Sequence, residues 1–574
     1  METDKQLSPV SVGESSETLE QRLERFELLY RVGIALSAEH NTERLIEMIL
    51  VEAQKLCNAD GGTLYLVNES KALSFAILRT DSLDVALGGT TGKSIQLPPI
   101  PLVDAATGSP NKKNVASYAT WLKQSVNIED AYDAKGFDFS GMKAFDARNN
   151  YRSKSFLTIP LATNEGIVIG VIQLINARDD NGTVKAFSRE NQRVVEALCS
   201  QAAIALYNRL LLDDQRRLLE SFIKLIASAI DAKSPYTGAH CERVPILTEM
   251  LARSVCDAND GPFADFALNE EEWYELHIAA WLHDCGKITT PVHVMDKATK
   301  LETISDRIDS VRARFEILKR DAEIAFLKRQ LSGEAEPGGA ELRAEHERLA
   351  LDLAFLESAN VGGEFLSPDK QARIVEIGAR RIEFGGKSRP LLSEDEVANL
   401  SISRGTLLPT ERLIINGHMV QTIKMLESLP FPQNLRRVPE YAGGHHEKMD
   451  GTGYPKGLFA GDMSIPARIM AIADVFEALT ADDRPYKKAK KLSETMRIMG
   501  FMKRDNHLDA QLFDHFVRAG VYLDYAKRFL APALIDEVDV AALLAIEPKA
   551  FELPEREARM RRWQGFLDEY LDGA

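Results

Sequence analysis

Hydrophobic and polar positions follow two different periods in the first third of the chain. Apolar residues recur at helical spacing over residues 19–34 and again over residues 45–56, which predicts two amphipathic helices. The period then becomes that of strands: residues 61–67 and 72–78 predict a strand pair, and residues 166–176 predict the buried second arm of a hairpin. Helices that flank such a sheet predict an α+β module.

One long helix is predicted after this module. The pattern is continuously helical from residue 188 to residue 232, and no Gly or Pro interrupts it. Such a connector could pair with a second copy in a coiled coil. Asp214 and Ser221 fall on the seam of that coiled coil, so the pattern alone leaves dimerisation open.

The rest of the chain is predicted to be helical. Apolar residues three and four apart over residues 308–325, a turn at 336–339 and a return over 342–356 predict an αα-hairpin. Residues 361–404 are interpreted as mixed loop and short helix. Residues 519–574 contain helical stretches without identifiable chemistry, and we hypothesise that this tail packs on the connector helix.

Composition limits the class of protein. A chain of 574 residues exceeds one core and allows roughly three or four domains. It is 45% hydrophobic and 27% charged and has no apolar run long enough to cross a bilayer, so we expect no membrane span. Residues 1–20 are polar and lack the apolar region of a signal peptide, which predicts a disordered tail.

Cysteine usage indicates the cellular compartment, and net charge limits the classes of binding partner. Five cysteines without pairing spacings fit a reduced cytoplasmic protein. A net charge of -16 argues against a nucleic-acid binder, because duplex binding depends on a basic surface. A phosphate-bearing substrate would need a local positive site, which bound metal ions supply.

The most informative stretch is His283-Asp284-Cys285-Gly286-Lys287. Imidazole and carboxylate bind a divalent cation, and the Lys can reach a substrate oxygen. We predict a helix capped by Asn269 whose last turn holds His283 and Asp284 and which Gly286 ends. Adjacent helical residues diverge by about 100°, so both can bind only if metal sits over the helix end.

Further candidates occur along the chain. Two consecutive histidines are followed by Asp-Gly and Gly-Tyr-Pro turns in residues 445–455, which combines metal ligands with a loop that faces a ligand. Asp474 lies beside the apolar stripe of a helix that begins at Pro466, and a carboxylate there favours a bound cation. A short basic patch occupies residues 483–488 of this acidic chain.

Residues 126–132, 137–138, 151–161 and 170–176 resemble a GAF domain of the phosphodiesterase type. The resemblance covers about residues 25 to 205 and implies a sensory, often dimerising module that holds a small ligand such as a cyclic nucleotide.

The cyclic-nucleotide signature of that family is incomplete here. Asn176 and Phe187 match it, but Ala177 replaces a Lys, and Asn191 and Gln192 replace Asp-Glu. A dimerising scaffold whose small ligand is unknown or absent therefore stays open beside cyclic-nucleotide binding.

The motifs around His240, His283, His418, residues 445–455 and residues 473–487 resemble, in their order, the HD-GYP family of HD-domain metal phosphohydrolases. The resemblance covers residues 215–302 and 405 to about 530. It implies an all-α domain and a cyclic di-GMP phosphodiesterase that produces pGpG and, in some members, GMP.

The resemblance also implies a ligand set for two divalent metal ions, iron or manganese by family. Tyr236 stands where members with three metals carry a Glu. Asp284 is expected to bridge the ions, with His240, His283 and Asp474 on one ion and His418, His445 and His446 on the other.

Roles at the substrate follow from the same resemblance and from local chemistry. Two cations can share a water, lower its pKa and fix a phosphodiester in line with it. Asp284 and Lys287 are the expected catalytic residues, and Lys287 contacts the reacting phosphate. Arg484 and Lys487 are expected to bind the other phosphate. Tyr454 offers a ring face for guanine, with a purely structural role in the turn as the alternative.

The predicted organisation is a tail over 1–20, a GAF domain over 21–205, a connector helix over 206–232, and an HD-GYP domain over 215–302 and 405–530. An inserted helical hairpin region over 303–404 and a helical tail over 531–574 complete it.

Two functions stay open. The first is a cyclic di-GMP phosphodiesterase regulated by the GAF sensor, acting as a homodimer through the GAF domain and the connector; cyclic GMP-AMP or a linear dinucleotide is an alternative substrate. The second is a low-activity signalling adaptor, occluded by the inserted hairpin, that binds partners such as cyclase domains.

Overall fold

The computed structural model describes residues 19–104, 107–233, 240–333, 339–363, 365–481 and 490–573. The tail over residues 1–18, Tyr236, Arg484 and Lys487 lie outside the described residues. The chain divides into two compact units at residues 218 and 219, and each unit has its own core.

The N-terminal unit is an antiparallel sheet covered by helices. Its elements are α1 (Leu19–Ala38), α2 (Thr42–Cys57), β1 (Ala59–Val67), β2 (Ala72–Thr80), β3 (Val85–Gly88), β4 (Ile100–Pro101), α3 (Val115–Leu122), β5 (Val126–Ile128), α4 (Ser140–Asn149), β6 (Phe156–Ala162), β7 (Val168–Arg178), β8 (Val184–Lys185) and α5 (Arg189–Lys233). The central strands run in the order β3-β2-β1-β7-β6-β5, while β4 pairs with β2 and β8 with β7. The predicted strand pair (β1 with β2) and the predicted hairpin (β6 with β7) are confirmed.

The core of this unit lies between the sheet and helices α2 and α5. Ile49 and Leu50 of α2 and Leu198 of α5 pack with Ile172 and Leu174 of β7. Because both helices bury an apolar stripe against the same sheet face, the α+β fold class expected from the sequence is confirmed.

Asn176, one of the residues that matches the cyclic-nucleotide signature, serves the backbone of the hairpin. Its side chain accepts from the Lys154 N–H (2.7 Å) and donates to the Arg152 carbonyl (2.8 Å). Its φ of 57° lies in the left-handed region, which Asn tolerates better than most residues. The side chain therefore holds the entry to β6.

The C-terminal unit is rich in helices. Its helices are α6 (His240–Cys256), α7 (Glu270–Leu282), α8 (Val292–Met295), α9 (Ile308–Leu331), α10 (Ala340–Asn360), α11 (Pro368–Gly378), α12 (Glu394–Leu400), α13 (Pro409–Asn416), α14 (His418–Ser428), α15 (Val438–Gly443), α16 (Ile465–Thr480), α17 (Leu492–Arg504), α18 (Ala510–Arg518), α19 (Val521–Phe529), α20 (Val540–Leu544) and α21 (Arg556–Gly573). Helices α6, α7, α14, α15 and α16 share one core, to which Leu251, Leu276, Leu426, Tyr441 and Phe476 contribute. No helix among the described residues combines the length and the hydrophobicity that crossing a membrane requires.

The inserted region contains the predicted helical hairpin, α9 and α10, with a separate core around Phe315, Leu349 and Leu356. It also contains a two-stranded hairpin, β9 (Arg381–Phe384) and β10 (Lys387–Pro390), where the sequence interpretation expected only loop and short helix. Gly385 and Gly386 form its two-residue turn with φ values of 61° and 70°. A turn with positive φ at both central positions favours the Gly-Gly pair that sequence analysis passed over.

Two buried lysines anchor the chain where the insertion begins. Lys297 donates to Asn399 and Glu411, each at 2.8 Å. Lys300 donates to the carbonyls of Leu400 (3.0 Å) and Ile402 (2.7 Å), and burial lowers the pKa of Lys300 to about 8. These bonds tie the residues just before the insertion to its last residues and to α13.

Candidate metal centre

Helix α7 delivers the His-Asp pair. Asn269 and Glu272 form a capping box at its N-terminus, which satisfies two otherwise unpaired backbone donors. The helix ends at Leu282, and residues 285–289 form a 3-10 turn. Asp284 (φ −109°) therefore lies between the two elements, and not in the last helical turn as the sequence predicted.

The seven expected ligands converge on two adjacent groups. Within each group, one donor atom of every residue lies within 4.8 Å of the others. Asp284 belongs to both groups. The first group is His240, His283, Asp284 and Asp474, and the second is Asp284, His418, His445 and His446.

The Asp284 carboxylate faces the two groups with different oxygens. Its Oδ2 lies 3.2 Å from His240 Nε2 and 3.1 Å from His283 Nε2. Its Oδ1 lies 3.2 Å from His418 Nε2 and 3.9 Å from His445 Nε2. This is the arrangement of a carboxylate that can bridge two cations.

The backbone orients three of the imidazoles. The Nδ1 atoms of His283, His418 and His445 lie 2.8, 2.5 and 2.7 Å from the carbonyl oxygens three residues earlier. Because each Nδ1–H then donates to a carbonyl, each Nε2 keeps its lone pair for a ligand. His240 is held differently, by a short contact from its Nδ1 to Glu477, whose other oxygen accepts from Arg243 Nε at 2.6 Å.

Four of the donor atoms have no hydrogen-bond partner among the described residues. They are the buried Nε2 atoms of His283, His418 and His445 and Oδ1 of Asp284. Burying unpaired polar atoms is unfavourable, so their common direction indicates a bound group. Imidazole nitrogens with carboxylate oxygens form the donor set of a borderline divalent cation.

Electrostatics keep His445, His446 and Asp284 in the form that binds metal. Burial lowers the pKa of His445 to about 4 and, together with the neighbouring His445, holds the pKa of His446 well below its ordinary value. Burial alone would raise the pKa of Asp284, but Lys287 and His283 outweigh it and hold that pKa well below its usual range. At neutral pH both imidazoles are therefore neutral and the carboxyl is charged, as ligation requires. His240 differs: burial alone would lower its pKa, but its contacts with Asp284, Asp474 and Glu477 raise that pKa well above its ordinary value.

Lys287 lies at the rim of the site. Its Nζ is 2.5 Å from Asp284 Oδ2, and 22% of the side chain is exposed. The structure thus brings this sequence-predicted residue to the carboxylate that both groups share.

Tyr454 lies against the second group. Its ring stacks on the His446 ring with centroids 4.9 Å apart and planes 22° apart. The loop that carries Tyr454 is held by Glu447, which is fully buried and accepts from the N–H groups of Lys456 (2.7 Å) and Leu458 (3.0 Å). The predicted substrate-binding residues Arg484 and Lys487 lie outside the described residues.

Sequence reasoning missed two residues that support the site. Glu477 and Glu447 make the contacts just described, although neither was a candidate. A signal for Glu477 was present: it follows Asp474 by three positions, as Arg243 follows His240. Residues three apart on a helix share a face, so Glu477 lies on the same face as Asp474, and Arg243 on the same face as His240. Glu477 contacts both His240 and Arg243.

Two family models match the chain. The GAF domain model matches residues 41–206, and an HD domain model matches residues 391–512. The HD match includes His418, His445, His446 and Asp474, while His240 and His283 precede it.

Several curated relatives share part of the sequence. The chain is 44% identical over 114 residues to 3'3'-cGAMP-specific phosphodiesterase 1 of Vibrio cholerae, covering 20% of this chain and 26% of that protein. It is 47% identical over 119 residues to a cyclic di-GMP phosphodiesterase of Pseudomonas aeruginosa, covering 21% and 28%. It is 28% identical over 218 residues to a cyclic di-GMP phosphodiesterase of Thermotoga maritima, covering 35% and 58%.

The matched segments span between 26% and 58% of the length of these three relatives. The domain models match one segment in each compact unit, and the sequence interpretation of both domains is confirmed. The chain therefore combines an N-terminal GAF domain with a C-terminal HD domain.

Proposed function

We propose that the chain is a metal-dependent phosphodiesterase that opens cyclic di-GMP to the linear dinucleotide pGpG. The observation that carries the proposal is the Asp284 carboxylate, whose two oxygens face two imidazole groups. Relatives named as phosphodiesterases of cyclic di-GMP and of cyclic GMP-AMP support the substrate class.

The proposed ligands hold two divalent ions, which we propose to be iron or manganese. Bound there, such ions supply an acidified water and neutralise charge on the phosphate. Asp284 would contribute to holding both ions, because it is the residue common to both donor groups. The backbone carbonyls behind His283, His418 and His445 keep those rings fixed, so the site needs little reorganisation when the substrate arrives.

The residues at the rim position the substrate. Lys287 stabilises oxygens of the reacting phosphate from its place beside Asp284. On the strength of the sequence, Arg484 and Lys487 bind the second phosphate, Arg as a planar fork and Lys as a point charge. Further hydrolysis of pGpG to GMP uses the same groups, since a linear phosphodiester presents the same oxygens.

Turnover of a panel of dinucleotides tests the proposal. The full chain is loaded with Mn²⁺ or, without oxygen, with Fe²⁺, and is given cyclic di-GMP, cyclic GMP-AMP and pGpG separately. We expect cyclic di-GMP to be consumed fastest and pGpG to appear first. Faster turnover of cyclic GMP-AMP would reassign the substrate, and turnover of none by a metal-loaded chain would reject the enzyme in favour of an adaptor.

Replacing Lys287 with methionine should separate catalysis from metal binding. Methionine keeps most of the side-chain volume but removes the charge beside Asp284. We expect kcat to fall by about 100- to 1000-fold, the range for removing one donor that stabilises charge in a transition state, with unchanged metal content. Mass spectrometric analysis measures the metal content, and initial rates measure kcat. An unchanged kcat would exclude Lys287 from the reaction.

We propose that the GAF domain regulates the HD domain through α5, in response to a small ligand. The last residue of this 45-residue helix, Lys233, donates to the carbonyls of Ile288 and Thr290, the latter at 2.7 Å. These carbonyls belong to residues 288 and 290, in the segment just after Lys287. A shift at the end of α5 is thereby passed to the segment that carries the catalytic lysine.

Lys233→Met tests this coupling in the full chain. Loss of its two bonds frees the segment after Lys287, so kcat should change by at least about threefold, as expected for the loss of bonds to a charged donor, with metal content unchanged. Rates of the variant and of the wild type at equal metal loading provide the measurement. Identical kcat values for the variant and the wild type would contradict regulation through Lys233.

We propose a homodimer formed through α1 and α5. Tyr30, Ile34 and Leu212 line a groove of about 740 Å³ between these helices, and Tyr30 (62%) and Leu212 (57%) are largely exposed. Exposed apolar patches of this kind are typical of interfaces. A second copy supplies the same apolar surface.

The dimer predicts twice the chain mass of 63.9 kDa in light scattering. Leu212→Glu places a charge in the groove and should give the single-chain mass. Gln215→Glu, a matched change at an exposed polar position of the same helix, should leave the dimer intact. A single-chain mass for the wild type would contradict the proposal.

A further inference from the structure

The C-terminal helix α21 lies on the loop that carries Tyr454. The Phe566 and Tyr454 rings are nearly parallel, with planes 21° apart and centroids 6.4 Å apart, and Trp563 stacks beside Phe566 at 6.2 Å. His446, Tyr454, Phe566 and Trp563 thus form one series of stacked rings that begins at a proposed metal ligand. The sequence hypothesis placed residues 519–574 on the connector helix; the stacking contacts of α21, the last helix of that tail, are with this loop.

Arginines of α21 hold the same loop. Arg559 forms an ion pair with Asp462 at 2.6 Å and stacks over the Phe459 ring at 4.4 Å. Arg562 donates to the carbonyls of Gly451 and Thr452, each at 3.0 Å. The helix therefore contacts the loop on both sides of Tyr454.

The far end of α21 reaches the helices around His418. Tyr570 Oη accepts from Gln421 Nε2 at 3.2 Å. The Tyr570 ring lies against Gly417, where an added Cβ would be 1.8 Å from a ring carbon. Only a glycine next to His418 lets this ring approach, which identifies the contact as specific packing.

The weak attachment of α21 allows this helix to detach from the loop that carries Tyr454. Residues 550–555 are exposed and form neither helix nor strand, and none of the α21 residues whose side chains the structure describes (557–570) belongs to the main core of the C-terminal unit. The contacts of its described residues are an aromatic stack, the packing of Tyr570 on Gly417, the Arg559–Asp462 ion pair and a few hydrogen bonds, which is a small set to break.

We infer that α21 is an autoinhibitory cover, in which Phe566 occupies the face of Tyr454 on which a purine of the substrate stacks. The inference rests on the proposed function. The Tyr454 ring is nearly parallel to both the His446 ring and the Phe566 ring, so we expect a purine to stack on this tyrosine only when Phe566 withdraws. Base–aromatic stacking then replaces the stacking of Phe566.

Phe566→Ala in the full, metal-loaded chain tests the cover. We expect kcat/KM for the cyclic dinucleotide to rise about two- to tenfold, the factor that one aromatic pair contributes. Arg559→Ala with Arg562→Ala should raise it in the same direction by removing the other contacts. Gln564→Ala is the matched control on the same helix, because its side chain bonds only to Asp568 of that helix, and it should change nothing.

Bis(4-nitrophenyl) phosphate, a phosphodiester without a purine, separates the two proposals. An unchanged or lower kcat/KM for the dinucleotide in Phe566→Ala, with the ester still hydrolysed, overturns the cover alone. Ester hydrolysis without turnover of any dinucleotide by wild type and variant overturns the proposed substrate and this regulation with it. Trp563 fluorescence reports docking independently: an emission maximum equal to that of wild type in the double arginine variant contradicts release of α21.

Discussion

Replacing Asp284 with alanine is expected to abolish metal binding and turnover together. The two oxygens of this carboxylate lie 3.1–3.2 Å from imidazole nitrogens of both donor groups. Its loss therefore removes an anionic ligand from each group at once. We expect less than one ion per chain and a loss of kcat of at least about 1000-fold, since the ions supply both the nucleophile and the charge neutralisation.

Asp284→Asn refines this test, because asparagine keeps the shape and one oxygen but cannot accept a cation on its nitrogen. It should bind fewer ions than wild type and remain folded. Asp265→Ala, at an exposed carboxylate of the same unit, is the control and should match wild type. Circular dichroism and metal analysis of the same preparations distinguish loss of ligand from loss of fold. Wild-type metal content and turnover in Asp284→Ala would reject the site.

The parts of the structure that sequence analysis predicted are those specified by local pattern. Helix α5 follows from 45 residues without Gly or Pro, and β1 and β2 follow from apolar runs bounded by turn residues. The seven donor residues were identified through the resemblance of their motifs, in order along the chain, to the HD-GYP family, which required no knowledge of the path between them. Their convergence in space is the step that only the fold supplies.

The parts that were missed depend on contacts between distant segments. Strands β9 and β10 are short and mostly exposed, so they carry little hydrophobic alternation. Helix α21 is polar with scattered aromatics, and its sequence does not specify which surface Phe566 and Tyr570 contact. Glu477 acts through a histidine 237 positions earlier. In each case the partner is set by packing and not by spacing along the chain.

Gly286 illustrates the same limit with a measurable consequence. The sequence predicted that it ends helix α7, but the helix already ends at Leu282, and the φ of Gly286 lies outside the left-handed region in which a terminating glycine is often found. The requirement for glycine comes from α14. A Cβ at residue 286 would lie 2.0 Å from the His418 carbonyl oxygen and 2.5 Å from the Thr422 nitrogen.

Gly286→Ala is therefore expected to disrupt the centre by displacing α14. Both colliding atoms belong to backbone, so a side-chain rotation cannot relieve the contact. We expect a loss of about 3 kcal/mol or more in the free energy of unfolding, the upper range for overpacking, with reduced metal content because His418 moves with its helix. Urea unfolding of the metal-free chain and metal analysis measure the two effects.

Two further variants make this prediction specific. Gly141→Ala, in a helix where an added Cβ meets no atom within 4 Å, should be neutral or stabilising by up to about 1 kcal/mol. Adding Thr422→Ala to Gly286→Ala should not restore stability, although it removes the hydroxyl that would lie 2.6 Å from the new Cβ, because both backbone collisions remain. Restoration by Thr422→Ala would show that the side chain alone limits residue 286, and wild-type stability of Gly286→Ala would show that α14 can shift without cost.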